Sequence, residues 1–270
     1  MRLLLTTLLA LPLLGYAQNE PAGARAAGMA HAALNYTDVW SLFQNQAGIA
    51  GVKHFSAGAF YENKFLVQEL AYSGFAAANP LGKGAVGLSY THFGFDVYRE
   101  GKVGLAYGMN LSDEFSVGVQ LNYHTMRINA EDYGSRSALS AEVGFRLNVS
   151  EKVSLAAHVF NPTRTKLNDF SDERLPTLLR CGAQYSIADD LMASAEVEKD
   201  IDRSGLFRAG LEYQPAEILF LRIGTSTQPM VFTFGTGLDF GTFKFDLAST
   251  YHSVLGHSPQ VSLTYTGRER

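Results

Sequence analysis

The sequence predicts an all-β protein: a transmembrane up-and-down antiparallel β-barrel of about fourteen strands with a small N-terminal plug. Three observations carry the prediction. Apolar and polar residues alternate with period two over most of the 270 residues, which fits strands with one apolar and one polar face and excludes helices. Single alternating runs reach a dozen residues, long against the roughly five or six of a soluble strand but suited to a tilted membrane-crossing strand of about nine to eleven. Tight links alternate with longer ones along the chain, as they do around a barrel with short turns on one rim and loops on the other.

The clearest run is Glu114 to Met126. Phe115, Val117, Val119, Leu121 and Tyr123 fall on one side, and Ser116, Gly118, Gln120, Asn122 and His124 on the other. Composition narrows the class further. Twenty-six glycines, thirteen tyrosines and eighteen phenylalanines stand against one tryptophan and one cysteine, a balance suited to closely packed strands and interfacial aromatic girdles. A formal charge of -4 argues against a nucleic-acid partner, which would need a basic face. A single cysteine excludes a disulfide framework or a cysteine-based metal cluster.

Residues 1–17 read as a secretory signal peptide. Arg2 precedes the apolar run LLLTTLLALPLLG, and Gly15 and Ala17 provide small residues for cleavage after Ala17. The run is short for a membrane anchor, and no later stretch offers about 18 continuous apolar residues, so a helical membrane protein is excluded. Residues 18–51 do not alternate. The small-residue tract GARAAGMAHAA is followed by an expected short helix, Tyr36 to Gln46, capped by Thr37 or Asp38, with Val39, Leu42 and Phe43 on one face around Trp40. It ends at the turn Asn45-Gln46-Ala47-Gly48. This segment either packs against the outside or bottom of the domain or enters the barrel mouth as a plug, and the plug is the reading adopted.

Residues 52–270 read as the barrel. Strands are expected at 53–61, 65–76, 84–93, 102–111, 114–126, 138–149, 153–160, 177–187, 191–199, 206–213, 217–224, 230–240, 243–252 and 260–265. From the fourth strand onward, tight links at Ser112-Asp113, Ser150-Glu151, Asp189-Asp190 and Gly241-Thr242 alternate with mostly longer connections, among them Asn129 to Arg136 and Asn161 to Leu175. An even strand count puts both termini on the tight-turn, periplasmic side. Charged strand residues, including Glu142, Arg146, Arg180, Glu196, Arg208 and Arg222, fall on the face opposite the apolar one. A lipid-facing arginine at mid-membrane costs about 2–4 kcal/mol, so they should face a lumen laced with ion pairs. Ile218 and Phe220 break the rule by placing apolar side chains on the inner face, where they would meet the plug or an apolar ligand.

The export signal, the GARAAGMAHAAL tract, DVWSLFQNQAGIAG and the strand count together resemble the PorV/PorQ branch of the FadL-type outer-membrane barrels, found in bacteria that use type IX secretion. Asn45, Ala47 and Gly48 match the family's Asn-Pro-Ala-Gly turn, with Gln46 in place of proline. The resemblance implies a barrel in outer-membrane lipid with no catalytic activity and no cofactor. Its leading role is that of an accessory component binding a secretion-system or cargo protein. The alternative is a FadL-type channel for hydrophobic small molecules.

Other chemistry is weaker. Asp200-Ile201-Asp202-Arg203-Ser204-Gly205 imitates the start of a calcium loop, but the twelfth position is Leu211 rather than a bidentate carboxylate. His54 and Ser56 share one side of a strand, yet the sequence designates no third group to orient the imidazole. The remaining histidines lack ligand spacing, Cys181 reads as an outward apolar position, and Gly235-Thr236-Gly237 opens no helix as a nucleotide loop would.

Overall fold

A computed structural model describes residues 21–129, 134–166 and 174–268. The expected signal peptide lies outside the described residues. Fourteen antiparallel strands close into one barrel in which each strand pairs with its neighbours in sequence, and the first pairs with the last. They are β1 Ser56–Asn63, β2 Ala71–Leu81, β3 Gly84–Gly94, β4 Tyr98–Asn110, β5 Phe115–Ile128, β6 Gly134–Asn148, β7 Val153–Phe160, β8 Leu178–Ala188, β9 Leu191–Asp200, β10 Leu206–Ala216, β11 Leu219–Thr227, β12 Met230–Asp239, β13 Phe243–His252 and β14 Gly256–Thr266.

Alternation becomes facing. On β5, Ser116, Gln120, Asn122 and His124 are buried, while Val119, Leu121 and Tyr123 are 54%, 67% and 47% exposed. The same inversion of a soluble protein's distribution runs round the barrel, with outward Leu105, Leu139 and Ile223 and inward Glu142, Arg180 and Asp246. Such a surface suits surrounding hydrocarbon, and closure pairs every strand edge that hydrocarbon could not hydrate.

The N-terminal segment, Pro21 to Val52, lies inside. Ala24, Met29, Ala32, Leu34, Val39, Leu42 and Ile49 are all fully buried or within one per cent of it. The expected helix is instead two 3₁₀ turns, Val39–Phe43 and Gln46–Gly51, after a single α turn at Ala24–Ala27. Side-chain capping explains the break. Asp38 accepts from the Trp40 N–H and Asn45 from the Ala47 N–H, so each turn starts at its own cap and no continuous helix forms.

Several expected boundaries shift: β1 begins at Ser56, β4, β6 and β14 each start four residues earlier than expected, and the largest changes have a local cause. Residues 65–70 are not strand: Lys64–Leu66 and Gln68–Leu70 form short turns with Phe65 and Leu66 at φ 55° and 59°, because the consecutive apolar residues Phe65-Leu66-Val67 cannot alternate. β2 therefore starts later and runs through Pro80 to a tight turn at Gly82-Lys83, with Gly82 at φ 61°. The register between β10 and β11 slips between Tyr213 and Ala216, so β11 begins at Leu219 and Ile218 is left in the turn, 51% exposed.

Candidate functional site

Glycine seats the inner segment. Nine inward-facing glycines on nine strands leave the space it fills: Gly58, Gly87, Gly108, Gly118, Gly144, Gly182, Gly210, Gly224 and Gly235. Three of them, Gly108, Gly118 and Gly144, form a cross-strand row on β4, β5 and β6. A Cβ on Gly118 would overlap the backbone at Gln46 and Ala47. Opposite, Gly210 and Gly224 pair across β10 and β11 and receive Met29. The sequence-predicted turn lies in the first of these seats. Asn45 Nδ2 donates to the carbonyls of Leu34 and Phe145 at 3.1 and 3.0 Å. Ala47 packs beside Gly144. At Gly48 the Tyr36 carbonyl and Ser41 leave no room for a side chain. Trp40 stacks over Gly58 and donates its indole N–H to Thr264 Oγ1 at 2.9 Å. Phe43 meets Phe60 edge-on at 5.7 Å, and Leu42 fills the space at Gly87.

Three buried charge clusters hold the segment and the wall together. Glu142 accepts from Gln46 Nε2 at 2.7 Å and Asn122 Nδ2 at 2.8 Å, meets His158 at 2.9 Å, and lies 3.7 Å from the Lys102 ammonium. Arg180 and Arg208 both reach Glu196, at 2.7 and 3.0 Å, and Arg180 Nη1 also donates to the Gln44 carbonyl. Arg222 pairs with Glu212 at 2.5 Å and Asp246 at 2.8 Å; Glu212 in turn receives Arg25, which also holds Asp38. Each cluster joins a wall carboxylate or guanidinium to the inner segment. Arg146 does the same more simply, donating to the Asn35 carbonyl at 3.1 Å and to Ser154. Buried ion pairs contribute little net stability, but removing one partner leaves an uncompensated charge. Arg180, Glu196 and Arg208 therefore belong to one cluster, whereas Glu142 and Arg222 anchor others. Phe220 faces the lumen below Arg222, with the Lys244 ammonium 4.8 Å from its ring centroid.

His31 occupies the left-handed region at φ 61°, following Ala30 at φ 51°. Burial, and the charges of Arg208, Lys64 and Arg180, push its imidazole down to about 3, so it is neutral at pH 7. Nothing in the sequence pattern marked it. Among the other candidates, Ser56 Oγ donates to the His54 carbonyl rather than to its ring. Ser140 Oγ and His124 Nε2 are 2.8 Å apart. Both are buried and His124 Nδ1 has no partner among the described residues, so the pair lacks the orienting third group that nucleophilic catalysis needs.

Two cavities touch strands β8 to β10, one inside at their long-loop ends and one on their outer face further down. At the long-loop end of the lumen, a vestibule of about 830 Å³ is lined by Leu178, Glu198, Ile201, Leu206, Arg208 and Gln228 among others. On the outside of β8 to β12, a trough of about 580 Å³ runs over Ala183, Ala195, Ala209 and Thr225, bordered by Tyr185, Leu211, Ile223, Phe232 and Phe234. The four small residues share one register row across β8, β9, β10 and β11. On one side their inward neighbours in sequence are Gln184, Ser194, Gly210 and Gly224, the last three small as well; on the other side they are Gly182, Glu196, Arg208 and Ser226. At Gly210 and Gly224 the wall is little more than backbone, with Met29 and Ala30 pressed against its inner side. The alternation predicted which residues face out; that small outward residues coincide with inward glycines is a register property that no single strand reveals.

No protein-family model matches the chain, and no curated relative matches it. Solved structures do match. The toluene transporter TbuX of Ralstonia pickettii superposes with a TM-score of 0.69 at 13% identity, over 93% of this chain and 99% of that one. The toluene transporter TodX of P. putida gives 0.70 at 12%, over 93% and 100%. A FadL homologue of Pseudomonas aeruginosa gives 0.65 at 12%, over 91% and 98%. At these identities the likeness is one of fold, shared over more than nine tenths of this chain.

Proposed function

We propose that this barrel sits in the bacterial outer membrane, with its tight turns and both termini in the periplasm, and passes hydrophobic small molecules. The observation that carries the reading is the thin wall. A vestibule at the long-loop end and an apolar trough on the lipid side lie along the same strands, β8 to β10; the Arg180–Glu196–Arg208 cluster stands between them, and behind the trough the wall carries the small residues Gly182, Ser194, Gly210 and Gly224, with Met29 against it. An apolar solute that passes this cluster and Met29 would leave sideways into hydrocarbon rather than continue down the ion-paired lumen, where burying apolar surface among charges gains nothing. Transport by barrels of the same fold, two of them described as toluene transporters, makes monoaromatic hydrocarbons the first substrates to try.

The test is uptake of radiolabelled toluene by cells expressing the protein, compared with Ala195→Trp and Ala209→Trp. Both substitutions add apolar bulk to a lipid-facing site, so folding should survive, as checked by heat-modifiable migration on gels. Uptake should fall to the level of cells without the protein. Full uptake by both variants would sink the lateral route, and wild-type uptake no higher than the empty vector would sink the channel reading.

One observation favours a second reading. Three charge clusters fasten the inner segment to the wall through Gln46, Gln44 and Arg25, as expected of a sealed, accessory barrel of the PorV/PorQ kind that binds a secretion or cargo protein at its long-loop rim. A mild-detergent pull-down that yields a stoichiometric protein partner, lost on changing those loops, would favour it over the channel.

A further inference from the structure

Seven arginines lie within the described strands, and five point inward; only Arg99 on β4 and Arg127 on β5 point out. Both are exposed, and they are direct cross-strand partners. Like charges placed directly opposite each other on a sheet repel. Among the described residues one carboxylate, Asp96, reaches this pair, at 2.6 Å from Arg99.

The arginines border a notch of about 460 Å³ on the outer wall of β3 to β6. Its floor is a register row, His92, Gly101, Thr125 and Ser137. Gly101 leaves the middle of that row open: a Cβ there would meet only the Thr125 hydroxyl and a more distant carbonyl. Two hydroxyls and an imidazole thus line a gap capped by two guanidinium groups. Directly below, Tyr90 and Tyr123 flank Val103, which is where a barrel's apolar band gives way to its aromatic girdle. From Phe115 to Tyr123, eight residues of tilted strand span roughly 20 Å along the membrane normal. That places Thr125 and Arg127 at headgroup level.

We propose that this notch binds the phosphate of a phosphorylated glycolipid in the leaflet at the long-loop rim, with Arg99 and Arg127 holding the phosphate oxygens, Ser137 donating its hydroxyl, and the acyl chains running down past Tyr90 and Tyr123. Phosphate matches the guanidinium fork, which a point charge would not require. The position on the outer wall at the girdle selects a lipid headgroup over a soluble anion.

The test is native mass spectrometry of the full-length barrel in detergent with added lipid A, with the same glycolipid stripped of phosphate, and with inorganic phosphate as competitor. Wild type should retain lipid A through desolvation. The double variant Arg99→Ala and Arg127→Ala should bind at least about tenfold more weakly, with folding checked by heat-modifiable migration. Arg127→Lys should fall between them. Equal retention of the dephosphorylated lipid, or unchanged binding by the double variant, would overturn the proposal. Displacement by millimolar inorganic phosphate would overturn its assignment to a lipid.

Discussion

Glu142 shows what a single residue does in this lumen. Its carboxylate is 2% exposed and meets Lys102, His158, Asn122 and Gln46. Replacing it with alanine strands a buried ammonium and frees the Gln46 amide, at a cost of about 3–5 kcal/mol; the check is a lowered midpoint of urea unfolding in a lipid-mimetic micelle. His31 makes a different prediction. Its imidazole is held near 3 when folded and titrates near 6.5 when unfolded. Its neutral burial costs nothing above pH 6.5 and an increasing amount as the pH falls toward about 3, because only the unfolded chain takes up the proton. His31→Asn keeps the left-handed backbone and removes the proton. The variant should gain stability over wild type on acidification from pH 7 to 4 and show no such trend above pH 7, read by thermal unfolding at matched ionic strength. Alternation was enough to turn Glu142 inward. That it would grip Gln46 depends on how the inner segment lies, and His31 sits in a stretch without any periodicity to interpret.

At the scale of the element, strands with clean alternation were legible and segments shaped by side-chain bonds were not. β5, β7 and β13 occur almost where the pattern puts them, since one misplaced residue would turn every apolar side chain inward. The inner segment has no such constraint. Asn45 and Asp38 cut it into short turns by bonding backbone N–H groups, and its path is dictated by the seats that wall glycines provide. Those seats are testable. Gly118→Val puts a branched side chain where the backbone of Gln46 and Ala47 lies, and the strand can accept valine while the seat cannot. Overpacking of this kind costs about 1–3 kcal/mol. The expected result is a barrel that still migrates as folded but whose N-terminal segment is cut by added protease, whereas wild type is not; equal protection in both would show that the seat is dispensable.

The whole molecule is a cylinder whose interior is polar, ion-paired and occupied, and whose exterior is apolar apart from its rims. Strand number and facing could be read from the sequence because hydrocarbon outside and charge inside impose one simple rule on every strand. The vestibule and the trough could not, because each depends on which residues of neighbouring strands fall in the same row.

The Trp40 ring lies over Gly58 on β1, and its N–H bonds Thr264 on β14. Those two residues are partners in the pairing that joins the first strand to the last. The seam of the cylinder is therefore bridged from within by a side chain that belongs to neither strand. Closing the first strand on the last brings the two residues that Trp40 touches side by side, so the clasp exists only in the closed cylinder and the contents and the seam complete each other.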